Sequence, residues 1–230
     1  MNITELKTAT RVDACKQLQP SEYVSFDGVN KDGLRVMFVG NSITLHGACP
    51  SIGWNNCWGM AASSEEKDYV HRCYAHIREK YPEAAFCICQ AAIWEWSYKT
   101  GETVLEQFKA AREFEADLII IKLSANSPLE NFDVQVYEEQ FDKLLAYLNK
   151  TGRAKIVVAT EFYVHPAEEA VRHFAQKKGW PLCPLSDLCS LDEMKAIGLF
   201  EHDGVANHPG DYGMQVIAER LCRIFDQLDV

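Results

Sequence analysis

Apolar residues along this chain come in two patterns that alternate. Short continuous runs at 36–39, 84–90, 117–123 and 155–159 read as strands buried on both faces. The first begins and ends on valine, and the third carries Ile119, Ile120 and Ile121 in succession. A weaker run at 180–185 contains Pro181 and Pro184, which cannot donate to a strand ladder. Between the runs the apolar period changes to that of a helix. Tyr137, Phe141, Leu144, Leu145 and Leu148 recur at helical spacing up to the stop at Gly152. Met214, Ile217, Ala218, Leu221, Ile224, Phe225 and Leu228 do the same in a last helix starting near Asp211. Further helices are predicted at 103–114, at 167–178 with Gly179 closing it, and from Ser63-Ser64-Glu65-Glu66 through Tyr69 and Ile77 to Pro82.

Strands alternating with helices imply parallel pairing through right-handed crossovers. The predicted fold class is therefore α/β, a three-layer α/β/α sandwich around a mostly parallel central sheet of about five strands. It occupies residues 34–230. Residues 1–33 are polar, with turn signals at Asp27-Gly28 and Asp32-Gly33, and are predicted to be an N-terminal extension packed on that domain. A long loop at 46–64 carries Gly47, Gly53, Gly59, Trp54 and Trp58. Irregular loops of that length inside a domain are usually functional. Its tryptophans are either a wall for substrate or a cover over the end of the sheet.

Composition narrows the partners. The chain has 230 residues, 47% apolar and 24% charged, enough for one domain with a substantial core. A net charge of −10 argues against nucleic acid or an anionic membrane as partner. The first residues lack the apolar core of a signal peptide, and no run approaches the roughly 18 apolar residues of a membrane span. Nine cysteines is an odd number, and no paired Cys-x2-Cys motif suggests zinc. Reduced thiols, a cytoplasmic location and no cofactor are the expectations; the oligomeric state is left open.

Candidate chemistry gathers where strands end. In a parallel α/β sheet the C-terminal strand ends share one edge, and ligands bind there. Ser42, Ala92, Asn126 and Glu161 follow the first, second, third and fourth predicted strands, and His208 precedes the last helix. Taken singly, Ser42 is an ordinary turn residue, Asn126 an Asx-turn before Ser127-Pro128, and His208 a loop residue.

With Gly40-Asn41-Ser42, Asn126 and His208-Pro209 in this order, residues 34–228 resemble the SGNH (GDSL-type) hydrolase family. The segments Ile52-Gly53-Trp54 and Trp58-Gly59-Met60 are similar to a GDSL-like subgroup of it. The resemblance implies Ser42 as nucleophile and His208 as its base. It also implies an oxyanion hole made of the Ser42 N–H, a second-block N–H assigned to Ala92, and the Asn126 side-chain amide. Three positions depart from the family pattern. Asn41 replaces the usual Asp, Ala91-Ala92 replaces a glycine, and Val205 stands where the catalytic acid is usual. Asp203 is the favoured acid; the alternative is a Ser-His dyad supported by a backbone carbonyl, and Glu161 and Glu95 also reach the edge.

The expected activity is that of a serine esterase cleaving a small O-acyl group, acetyl on a carbohydrate being the candidate. Trp54, Trp58, Trp94, Glu95 and Glu161 are the expected substrate contacts, since flat aromatic faces stack on sugar rings. Two alternatives belong to other classes. One is a non-catalytic ligand-binding module on the same fold, motivated by Val205. The other is a metal-dependent hydrolase using His202, Asp203, His208 and Asp211, whose spacing fits no standard ligand pattern.

Overall fold

The computed structural model describes residues 23–28 and 33–230. Most of the predicted N-terminal extension lies outside the described residues. One part of it does not: Val24–Asp27 forms strand β1. The remaining strands are β2 (Arg35–Gly40), β3 (Ala85–Gln90), β4 (Leu118–Ile121), β5 (Lys155–Ala159) and β6 (Leu182–Cys183). They form one six-stranded sheet in the order β1-β3-β2-β4-β5-β6. Every pairing is parallel except β1 with β3, which is antiparallel at the edge. The mostly parallel sandwich is thus as expected, with one more strand than predicted. Val24 and Phe26 do alternate with polar residues, but four residues carry too weak a period-two signal to stand out.

β3 and β4 flank β2 on opposite sides. The chain therefore reverses its direction of travel across the sheet at β2, and the loop after β2 opens at the topological switch point. Residue alternation along each strand divides the core. Met37, Val39, Ile119 and Ile121 face one cluster, while Val36, Phe38, Leu118 and Ile120 face the other. On the first face lie α2 (Ala92–Trp96), α3 (Lys109–Glu113), α4 (Val134–Leu148) and α5 (Ala167–Lys178); α1 (Tyr69–Lys80) lies on the second. The short α6 (Asp203–Ala206) precedes α7 (Asp211–Phe225), which packs beside α1.

Two helices differ from expectation for local reasons. α1 starts at Tyr69 because the Asp68 side chain accepts from the His71 N–H and caps it there; residues 65–67 form only a 3₁₀ turn. The predicted helix at 103–114 is a 3₁₀ stretch over Tyr98–Phe108 followed by α3. It runs tight against α2: a Cβ on Gly101 would lie 2.4 Å from Trp94 Nε1. β6 is short because it is bounded by Pro181 and Pro184, whose missing N–H groups end the ladder.

Candidate active site

The turn after β2 is built around a glycine. A Cβ at Gly40 would sit 1.8 Å from Thr44 Oγ1, so no side chain fits there. The Asn41 carbonyl accepts from the N–H groups of Thr44 and Leu45 at 2.9 and 3.0 Å. The Ser42 carbonyl accepts from Met60 N at 2.9 Å, tying the tryptophan loop to this turn. No hydrogen bond among the described residues takes the Ser42 N–H.

Ser42 Oγ lies 2.8 Å from His208 Nε2. The other ring nitrogen, Nδ1, donates to the Gly204 carbonyl at 2.6 Å. A carbonyl can only accept, so it holds the proton on Nδ1 and turns the Nε2 lone pair toward Ser42. The Asp203 expectation is corrected here: the acceptor on His208 is the backbone, four residues upstream, and Asp203 is an exposed residue of the first turn of α6. The reason lies in α6. Val205 is fully buried with Ile52, Trp54, Met60, Ala61 and Ala196. That anchor fixes the helix, and a helix's last carbonyls have no partners within it. The Gly204 carbonyl is one of these and meets the imidazole. Burial lowers the His208 pKa to about 4, opposed by the Gly204 carbonyl and reinforced by the nearby His46, Lys122 and His202. The ring is therefore neutral at pH 7 and able to accept a proton.

Behind Ser42 lies a buried polar network. Lys122, at the end of β4, donates to Glu161 Oε2 at 2.7 Å, both side chains being at most 1% exposed. Asn41 Nδ2 donates to Glu161 Oε1 at 2.7 Å and to Glu95 Oε1 at 3.2 Å. Glu95 Oε1 also accepts from the Ser124 N–H at 2.6 Å and, more weakly, from the Asn126 N–H at 3.4 Å. Its Oε2 accepts from Asn126 Nδ2 at 2.6 Å. Burial and the neighbouring Glu161 push Glu95 up to about 8, with Asn126, Lys122 and Asn41 pulling the other way. This network accounts for Asn41. An aspartate there would place a third carboxylate against two buried ones, whereas the amide donates to both.

The sequence-predicted residues separate accordingly. Ser42 and His208 come together, and Asn126 stands at the same sheet edge, held by Glu95. The Ala92 N–H, expected in the oxyanion hole, instead donates to Gln90 Oε1 at 3.1 Å. Ala92 opens α2, whose first N–H groups need partners, and the Gln90 side chain folds back to supply one. Trp54, Trp94, Glu95 and Glu161 are 0% exposed, so the expectation that they touch substrate is corrected. Trp54 donates its indole N–H to the His46 carbonyl, and Trp94 packs edge-on against Tyr137 and Phe141 in the core. Trp58 is half-buried and donates to the Ala62 carbonyl; Trp96 is more open at 41%. Asp211 is engaged by Ser63 and Lys67, and no group of three metal-ligating side chains occurs among the described residues.

Sequence reasoning missed Lys122 and Tyr163. A lysine inside an otherwise apolar strand run was the available signal, since a buried ammonium needs a carboxylate. Tyr163 stands edge-on to the His208 ring, centroids 5.9 Å apart, and donates its hydroxyl to the Asn207 carbonyl at 3.1 Å. Nothing local marked it.

The architecture is that of the SGNH (GDSL-type) hydrolases. No family model matches the sequence, and no curated protein matches it. Among solved structures the chain is similar to a two-domain esterase active on acetylated mannans, with TM-score 0.53 and 17% identity over 92% of this chain and 57% of that one. It is also similar to a family two carbohydrate esterase from Clostridium thermocellum, with TM-score 0.54 and 13% identity over 84% of this chain and 64% of that one. A lipolytic G-D-S-L family protein from Veillonella parvula matches with TM-score 0.52 and 11% identity, over 85% of this chain and 100% of that one. The chain thus spans less than two thirds of the two carbohydrate esterases. No helix among the described residues is long and apolar enough to cross a membrane.

Proposed function

We propose that this protein is a serine carboxylic-ester hydrolase acting through an acyl-enzyme on Ser42. The observation that carries the reading is the 2.8 Å contact of Ser42 Oγ with a His208 Nε2 whose lone pair is fixed by the Gly204 carbonyl. Ser42 Oγ attacks the ester carbonyl carbon while its proton passes to His208 Nε2. The Ser42 N–H, which has no partner among the described residues, and the Asn126 amide bind the oxyanion. Collapse expels the alcohol, which takes the proton from His208. Water then attacks the acyl carbon, gives its proton to His208, and the serine recovers it as the acid leaves.

The imidazolium in this cycle has a carbonyl dipole behind it in place of a carboxylate, so the site is a dyad. For the substrate we propose an acetyl or similarly small O-acyl group on a carbohydrate. The likeness to carbohydrate esterases supports it, as do the partly open aromatic faces of Trp58 and Trp96.

An active-serine phosphonate probe and a panel of esters differing in acyl length and sugar backbone test the reading together. Wild type labels and turns over small acyl esters, while Ser42→Ala does neither and keeps its melting temperature. Turnover by Ser42→Ala at the wild-type rate overturns the assignment. Sugar binding without labelling or turnover in the wild type means a binding module.

A further inference from the structure

Of the carboxylates buried among the described residues, Asp68, Glu95 and Glu161, the reaction above uses none, and Glu95 is bonded directly to Asn126, a group the reaction does use. Every hydrogen-bond partner of Glu95 among the described residues is a donor: the Asn41 amide, the Ser124 and Asn126 N–H groups, and Asn126 Nδ2. We infer that Glu95 is a positioning residue, whose ionised carboxylate sets which way the Asn126 amide faces and so turns its oxyanion donor on and off with pH. The inference rests on the Ser42 hydrolase reading.

The geometry gives the device. An ionised carboxylate only accepts, so Oε2 holds the nitrogen end of the Asn126 amide at 2.6 Å and leaves the second N–H of that nitrogen for the cleft. A protonated Glu95 has an O–H to place, and Oε1 already faces three donors. Placing the proton on Oε2 favours the amide oxygen as partner, which turns the amide over and withdraws the donor.

Charges around Glu95 come from three elements. Glu161 beyond β5 disfavours its ionisation, Lys122 at the end of β4 favours it, and the Tyr137 hydroxyl of α4 lies within its influence while staying neutral itself. Burial and Glu161 place the titration near 8, whereas His208 titrates near 4. The two groups therefore act in separate parts of the pH range. Activity has a first rise near pH 4 from His208 becoming neutral and a second toward pH 8 from Glu95 becoming ionised.

The experiment is kcat and KM against pH for wild type, Glu95→Gln, Asn126→Ala and the double variant, on the best ester of the panel. In wild type the second rise appears in kcat, with KM changing little, because the donor bonds an oxyanion present only in the transition state. Asn126→Ala lowers kcat by about 10²–10³-fold and abolishes the second rise although Glu95 is intact. Glu95→Gln abolishes it too, and the double variant is no slower than Asn126→Ala alone, since residues acting as a unit are not additive. A second rise that survives in Asn126→Ala overturns the inference, and that variant changes only a half-buried side chain, so the test does not depend on Glu95→Gln folding. Additive losses in the double variant overturn it as well. If instead Ser42→Ala keeps wild-type turnover, the hydrolase reading fails first, a separate outcome.

Discussion

At the scale of single residues the site is defined by what His208 leans on. A triad needs a carboxylate behind the ring, and this chain puts the apolar Val205 at the usual place and buries it. The ring turns instead to the Gly204 carbonyl. A carbonyl orients the imidazole as well as a carboxylate does but stabilises its cation less. Consequently Asp203→Asn should leave kcat within about twofold of wild type, as an exposed substitution does. His208→Ala should cost about 10²–10⁴-fold, the range of a lost acid-base group. Steady-state kinetics on both variants decide it. A loss in Asp203→Asn comparable to that in His208→Ala would restore the triad.

At the scale of elements the C-terminal ends of β2, β4 and β5 and the short helix α2 are joined by a buried polar network behind Ser42. Lys122 extends from β4, Glu161 from β5, Asn41 from β2 and Glu95 from α2, with every contact buried. Paired, the lysine and glutamate need not add net stability, because desolvation offsets their attraction. Breaking the pair is another matter. Lys122→Met leaves the Glu161 carboxylate buried without its cation and should destabilise the fold by about 3–5 kcal/mol. Urea unfolding of the variant at pH 7 measures this. A loss under about 1 kcal/mol would mean that water or a proton already compensates the network, and the electrostatic role given to Lys122 would fall.

For the whole molecule, the buried titrating groups pull stability in opposite directions as pH changes. Burial lowers His46, His165 and His208, so the unfolded chain takes up protons below about pH 6.5 that the folded chain refuses. Stability therefore falls as pH drops through that region. His71 and His76 run the other way. Burial works against charge on His71 but Asp68 raises it, and Asp226 raises His76. Glu95 governs the alkaline side. Its folded pKa of about 8 against an ordinary 4.5 means that unfolding releases a proton between those values, so stability falls as pH rises toward 8. The slope from one such group is at most about 1.4 kcal/mol per pH unit. Thermal unfolding should show a maximum near pH 6–7, and Glu95→Gln should flatten its alkaline side. An alkaline slope unchanged in Glu95→Gln would place the titration elsewhere.

Periodicity is a local property, and here it sufficed for β2 to β5, for α4, α5 and α7 and for the parallel sandwich, because a strand buried on both faces cannot hide its apolar run, whereas the short edge strand β1 escaped it. Sequence order also singled out Ser42 and His208, although 166 residues separate them. What only the tertiary structure decided was the character of each neighbour. A backbone carbonyl carries no sequence signature, since every residue has one, so Gly204 could not be chosen over Asp203. The exposure of an aromatic or a carboxylate depends on what packs above it. Trp94 lies under α4, and Glu95 and Glu161 close on Asn41, turning expected substrate contacts into buried supports. The Ala92 N–H was lost to a side chain two residues away, because the first turn of a helix takes whatever acceptor the fold brings to it.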